Sequence, residues 1–132
     1  MTSPDELELR HTLATATARY DELRMRDALA AMAEDGDTPP LTREESLELL
    51  ALSEVIMRKA GYGRQPMIRS ARAGGASWTQ IGTALGSSKQ AAWEAHNRWI
   101  EDQARQHQTT GYQGFDPAEE DEARGLAGRR PD

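Results

Sequence analysis

The sequence has 132 residues, a formal net charge of −6 and no cysteine. This length suits one small domain, and the lack of cysteine excludes disulfide bonds and thiolate metal sites. The first ten residues lack the basic start and apolar run of a signal peptide, and no stretch approaches the roughly 20 apolar residues of a membrane span, so we expect a soluble cytoplasmic protein.

The first predicted helix begins at Ser3-Pro4-Asp5-Glu6, a capping box with proline at the first helical position. We expect it to continue to about Glu34, before Gly36 and Pro39-Pro40. One apolar stripe along it consists of Leu9, Leu13, Ala16, Tyr20 and Leu23. A second stripe consists of Leu7, Ala14, Ala18, Met25, Leu29 and Met32. Either both stripes pack within one subunit, or one of them packs against a second copy in a homodimer.

Two shorter helices are predicted next. A capping box at Thr42–Glu45 opens a helix to about Lys59. Its expected buried stripe is Leu47, Leu50, Ala51, Val55 and Ile56. The following helix is expected from Gln65 or Pro66 to Ala73, with Arg69 and Arg72 exposed. Its expected buried residues are Met67, Ile68 and Ala71.

A pair of helices joined by a short turn follows. Ser77-Trp78-Thr79-Gln80 is a third capping box, and its helix is expected to end at Gly86 in a left-handed conformation. Ser87 or Ser88 then caps a helix to about Gln106. This spacing is typical of a helix-turn-helix, in which Gly82 lies where the two helices cross and a side chain would not fit. On the second helix, the residues expected to face inward are Ala92, Ala95 and Trp99.

Residues 109–132 have no sustained apolar period and are expected to form a disordered acidic tail. The acidic residues within 116–122 either compete with phosphate groups for the basic segment or only keep the tail soluble. The fold prediction is therefore all-α, with about five helices in three regions. These are a helical dimerisation region over residues 1–63, a helix-turn-helix region over 64–108 and the tail over 109–132.

Charge is distributed unevenly over these regions. Residues 1–63 carry 7 basic and 13 acidic side chains, and residues 106–132 carry 3 and 6. Residues 64–105 carry 6 basic and 3 acidic side chains. Because affinity for DNA comes largely from neutralising phosphates, this middle segment is where nucleic acid is expected to bind.

The segment Ala71–Trp93, "ARAGGASWTQIGTALGSSKQAAW", resembles the helix-turn-helix of small actinobacterial DNA-binding proteins, which is similar to the sigma-factor region-four type. The resemblance covers about a sixth of the chain and implies that the second helix begins in the major groove. One residue departs from the pattern, because Ser87 stands where a buried aliphatic residue is usual. We expect this change to loosen the packing of the turn.

The resemblance implies that a set of residues at the start of the second helix faces the groove, namely Ser88, Lys89, Gln90, Trp93, Glu94 and Asn97. The side chains expected to contact bases are Lys89, Gln90, Trp93 and Asn97. Lysine can donate to guanine O6 and N7, and glutamine can pair with adenine N6 and N7. As an alternative, Trp93 is a packing residue.

Phosphate contacts are expected from helix N-termini, hydroxyls and flanking arginines. The residues concerned are Ser77, Thr79, Ser87, Ser88, Arg69, Arg72 and Arg98. For Arg98, an ion pair with Glu94 or Glu101 on its own helix is the alternative.

Motifs for other chemistry are missing from the sequence. His11, His96 and His107 lie far apart with no metal-ligand spacing, and neither a nucleophile motif nor a phosphate loop occurs. We therefore expect no enzyme activity, no cofactor, no metal and no small-molecule ligand.

The prediction that remains is a homodimeric, nucleoid-associated protein that binds double-stranded DNA sequence-specifically and regulates transcription. Two alternatives stay open. One is a protein-protein interaction module for a polymerase or sigma factor, and the other is a plasmid or phage DNA maintenance protein.

Overall fold

The computed structural model describes residues 2–34 and 36–132, and every regular element in this part of the chain is an α-helix. The seven helices are α1 (Pro4–Arg10), α2 (Leu13–Met32), α3 (Arg43–Tyr62), α4 (Arg64–Ala73), α5 (Trp78–Leu85), α6 (Lys89–Thr110) and α7 (Pro117–Ala127). They form two compact units, Met1–Gly63 and Arg64–Asp132. The all-α prediction is confirmed, and no helix in the described residues is both long and apolar enough to cross a membrane.

The predicted long first helix is broken in two, so that part of the fold prediction is wrong. His11 is extended, with ψ 143°, and Thr12 starts a new helix. The Thr12 hydroxyl accepts from the N–H of Thr15, and the Thr15 hydroxyl accepts from the N–H of Thr12. Threonine hydroxyls that bind nearby backbone groups compete with helix continuation, which is why the chain restarts here.

The first unit packs α1 and α2 against α3 around a small apolar core. Its buried residues are Leu7, Ala16, Leu23, Ala51, Leu52 and Val55. Beside this core, Arg19 donates two hydrogen bonds to Glu48, at 2.8 and 2.9 Å, and Arg26 lies 2.7 Å from Glu45. Hydrogen bonds from these guanidinium groups lower the pKa of both glutamates.

Several apolar side chains of the first unit remain exposed. On α3, Leu47 and Leu50 were expected to be buried but are exposed, and Leu52 is buried instead. The two helices packed against α3, α1 and α2, cover a narrower stripe of it than the sequence pattern suggests. On α2, the exposed fractions of Met25, Leu29 and Met32 are 65%, 54% and 79%. Apart from Leu7, the second predicted stripe is therefore exposed in this unit.

The second unit is built from α4 to α7 around one apolar core. Its buried residues are Ile68, Trp78, Ile81, Ala92, Ile100, Phe115, Ala123 and Ala127. Met67 was expected to be buried but is exposed, while Ala71 and Trp99 are half-buried and pack against the core.

The predicted disordered tail is wrong, because residues 117–127 form α7. Asp116 and Glu119 make a capping box, and Pro117 occupies the start of the helix. Ala123 and Ala127 lie one turn apart and are buried. A stripe of two alanines gives almost no apolar signal in the sequence, yet their small size lets α7 approach the neighbouring helices closely.

Candidate nucleic-acid interface

A three-residue turn, Gly86 to Ser88, joins α5 to α6. Gly86 ends α5 with φ 70° and ψ 30°, a left-handed conformation that glycine adopts at low cost. The N–H of Ser87 donates to the carbonyl of Gly82 at 2.9 Å. A Cβ on Gly82 would lie 2.8 Å from the Ser87 oxygen and 3.1 Å from the Lys89 nitrogen. The predictions for Gly82 and Gly86 are confirmed.

Ser88, and not Ser87, caps α6, since its hydroxyl accepts from the N–H of Ala91 at 3.0 Å. Ser87 is exposed and its hydroxyl donates to the Ser88 carbonyl at 3.3 Å. The Ser87 side chain is therefore not buried in the turn. The turn is closed by backbone contacts such as the Ser87–Gly82 hydrogen bond. Lys89 and Gln90 occupy the first two positions of α6, half-buried, and Lys89 forms no ion pair within residues 2–34 and 36–132.

Trp93 and Asn97 lie on the flank of α6 that faces α7. Trp93 packs against the core and its Nε1 donates to the carbonyl of Gly128 at 3.1 Å. Asn97 accepts from Arg124 at 3.2 Å and donates to Glu101 at 3.3 Å. These side chains would have to give up internal hydrogen bonds to reach a base, whereas Lys89 and Gln90 would not.

Ser77 and Thr79, at the start of α5, differ in whether their backbone N–H groups are already hydrogen-bonded. Ser77 accepts from the N–H of Gln80 at 3.1 Å, and its own N–H donates to the Gln80 side chain at 2.9 Å. Its amide is therefore used inside the helix cap. Thr79 is exposed at the second helical position, where a backbone N–H group has no acceptor within the helix.

The three arginines predicted to contact phosphates have different surroundings. Arg72 donates to the carbonyls of Leu126 and Ala76, at 2.8 and 3.0 Å. The Arg69 guanidinium lies 5.8 Å and 5.5 Å from the ring centroids of Trp99 and Phe115.

Arg98, in contrast, is exposed and has no ion pair in the described part of the chain. Its two candidate partners are engaged elsewhere, because Glu94 pairs with Arg130 and Glu101 accepts from Asn97. Of the three arginines, Arg98 is the one with neither a hydrogen bond nor a ring contact within the described residues.

Sequence reasoning missed the arginines that follow the tail's acidic run. Arg124 reaches Asn97, and Arg130 forms an ion pair with Glu94, so both contact α6. The capping box at Asp116–Glu119 was a usable signal for a helix. Nothing local in the sequence indicates that this helix returns along α6.

A neutral histidine lies in the core behind this face. His96 has 0% exposure, and its ring centroid lies 5.6 Å from that of Trp78 and 5.3 Å from that of Trp99. Its Nδ1 is 2.8 Å from Oε1 of Gln65. Burial lowers the pKa of His96 to about 4, and the charges of Arg69 and Arg72 add to this effect. Histidine therefore acts here as a packing residue.

The described residues contain no group of three or more His, Cys, Asp or Glu side chains that could hold a metal ion. Comparison with protein-family models, with curated proteins and with solved structures finds no match to this chain.

Proposed function

We propose that this protein binds double-stranded DNA sequence-specifically by placing the start of α6 in the major groove, and that it regulates transcription. The observation that carries the proposal is the α5–α6 turn. Its left-handed Gly86 and the close approach at Gly82 leave Lys89 and Gln90 side by side at a helix start. A recognition helix contacts base edges with its N-terminal residues.

The electrostatic surroundings of α6 support the same proposal. Lys89 and Arg98 are free of ion pairs within the described residues, and Thr79 is exposed at the start of α5. Glu94, the acidic residue nearest the start of α6, is paired with Arg130. The repulsion that this carboxylate would exert on phosphates is thereby reduced.

A second copy of the chain completes the proposed assembly. A single motif of this size reads one half-site, and pairs of such motifs read two half-sites about one helical turn apart. Met25, Leu29 and Met32 on α2 provide an exposed apolar stripe for such a homodimer.

The proposal is tested by selecting bound sequences from a random double-stranded DNA pool, followed by binding measurements on the enriched site. Affinity should fall steeply as salt rises. Lys89→Ala should weaken specific binding by about 1–3 kcal/mol if the lysine reads a base. Lys59→Ala, in the other unit, is the matched control and should bind like the wild type. No enrichment, together with no binding at low salt, would contradict the proposal.

A protein-protein interaction module is the second candidate, because Leu47, Leu50 and Met57 on α3 are exposed apolar side chains. In that case the partner would be a polymerase subunit or sigma factor. Binding to such a partner that survives Lys89→Ala and is lost in Leu50→Glu, without any DNA enrichment, would favour this candidate.

A further inference from the structure

The chain returns along α6 through α7, in the opposite direction. The N–H of Phe115 donates to the carbonyl of Gln103, Arg124 donates to Asn97, and Arg130 pairs with Glu94. Later residues of α7, and of the segment after it, thus contact residues nearer the start of α6. The segment 128–132 therefore lies beside the helix turns that follow Lys89 and Gln90.

Three consecutive carbonyls fix the start of this segment to the helix-turn-helix. The carbonyl of Leu126 accepts from Nε of Arg72 at 2.8 Å, and that of Ala127 accepts from Nε1 of Trp78 at 2.8 Å. The carbonyl of Gly128 accepts from Nε1 of Trp93 at 3.1 Å. The donors come from α4, α5 and α6, so the end of α7 and Gly128, from which the segment continues, are held by three helices.

Gly128 gives the chain its direction after α7. Its φ of 68° lies in the region that side-chain-bearing residues rarely adopt, and ψ is −167°. The residues after it are Arg129, which is exposed and has no ion pair within the described chain, and Arg130, which pairs with Glu94. The segment also contains Asp132, so its side chains carry a net charge of +1.

Because α7 runs antiparallel to α6, its acidic residues and the arginines after it lie beside different parts of α6. The acidic residues Glu119 to Glu122 stand near its start, beside the later turns of α6, where Glu120 and Arg105 line the same surface cleft. The arginines stand at the other end, beside Trp93 and Glu94. The acidic residues therefore lie away from the start of α6, and the positive charge lies close to it.

We infer that residues 128–132 form a basic arm, in which Arg129 and Arg130 contact DNA phosphates next to the groove that α6 enters. This inference rests on the proposed function. Arg129 supplies a free guanidinium, and Arg130 contacts Glu94 through Nη2 alone, so its other N–H groups can donate to a phosphate oxygen while the ion pair persists. The arm contributes affinity without sequence information, because phosphate contacts position a protein and base contacts specify the site.

The test is the salt dependence of DNA binding by the full chain carrying Arg129→Ala and Arg130→Ala. Each phosphate contact contributes about 0.9 to the slope of log K against log salt. The double variant should therefore show a slope smaller by about 2, with similar losses on specific and random duplexes. Arg129→Lys with Arg130→Lys should keep most of the wild-type slope, because it keeps both charges.

The matched control is Arg43→Ala with Arg105→Ala, which removes the same charge from two exposed arginines. Arg105 lies on α6 eleven residues beyond Glu94, about 16 Å along the helix. This control should keep the wild-type slope, and circular dichroism should show that all variants fold.

Two results would overturn the basic arm while leaving the proposed function intact. One is a wild-type slope in the Arg129→Ala and Arg130→Ala variant, and the other is an equal loss of slope in the control. If the wild-type protein binds no DNA at low salt, the proposed function and the basic arm fail together.

Discussion

Gly82 lies where α5 and the start of α6 approach each other closely, within reach of the backbone of Ser87 and Lys89. Gly82→Ala would place a methyl group 2.8 Å from the Ser87 oxygen and 3.1 Å from the Lys89 nitrogen, both of them backbone atoms. Because backbone cannot rotate aside, we expect the free energy of unfolding to fall by about 1–3 kcal/mol. DNA affinity should fall as well, since the start of α6 would be displaced. Urea unfolding and DNA titration measure the two effects.

The control for this substitution is Gly125→Ala within α7, where nothing lies within 4 Å of the added methyl group. Alanine inside a helix is more favourable than glycine by roughly 0.5–1 kcal/mol, so this variant should be slightly more stable. Equal stability of both variants would show that the crossing of α5 and α6 tolerates a side chain.

His96 predicts a dependence of stability on pH. Its pKa is about 4 in the folded protein and near 6.5 when unfolded, so the unfolded chain binds the additional proton between these values. The contribution of neutral His96 to the free energy of unfolding should therefore be fully present above pH 6.5 and decrease as the pH falls towards 4. The total loss should be on the order of 3 kcal/mol. Gln65, Arg69 and Arg72 face the ring from α4, and none of them can stabilise an added charge as a carboxylate would.

His96→Phe keeps a ring between Trp78 and Trp99 and removes the titrating group. Urea unfolding at a series of pH values should show a weaker slope between pH 4 and 6.5 in this variant than in the wild type. Identical slopes would mean that other groups cause the acid sensitivity.

At the scale of elements, α7 is part of the second core although its composition is highly charged. Ala123 is buried, while Ala118 is exposed on the same helix. We expect Ala123→Asp to destabilise the protein by about 3 kcal/mol or more, since it buries an unpaired charge. Ala118→Asp adds the same carboxylate to the first turn, where the helix dipole favours it, and should not destabilise. Thermal unfolding that is equal for both variants would contradict the packing of α7.

At the scale of the whole molecule, the exposed stripe on α2 predicts self-association. Leu29→Glu should reduce the dimer population in sedimentation experiments, because it places a charge on the expected contact surface. Leu29 is more than half exposed in the monomer, so the variant should still fold. Met67→Glu, at an exposed site in the other unit, is the control. A wild-type protein that sediments as a monomer at high micromolar concentration would remove the homodimer from the proposal.

The α5–α6 pair was the part of the fold most predictable from sequence. Its caps at Ser77 and Ser88 and its turn at Gly86 depend on residues at most four positions apart. The break at Thr12 was also local, but the Thr12–Thr15 box lies inside a continuous apolar pattern that favours one helix. In the candidate site, the structure leaves the side chains of Lys89, Gln90 and Arg98 without internal hydrogen bonds within the described residues, whereas those of Trp93 and Asn97 are held by them. The contacts of all five with DNA stay predictions.

The sequence by itself determined where helices begin and end around the turn, because capping and left-handed glycine are properties of a few neighbouring residues. Only the tertiary structure decided which stripes are buried, that residues 117–127 are folded, and that Arg130 reaches Glu94. These outcomes depend on contacts between residues far apart in the chain. Ala123 and Ala127 stabilise the fold through the core residues they pack against, and most of those residues lie far from them in the sequence.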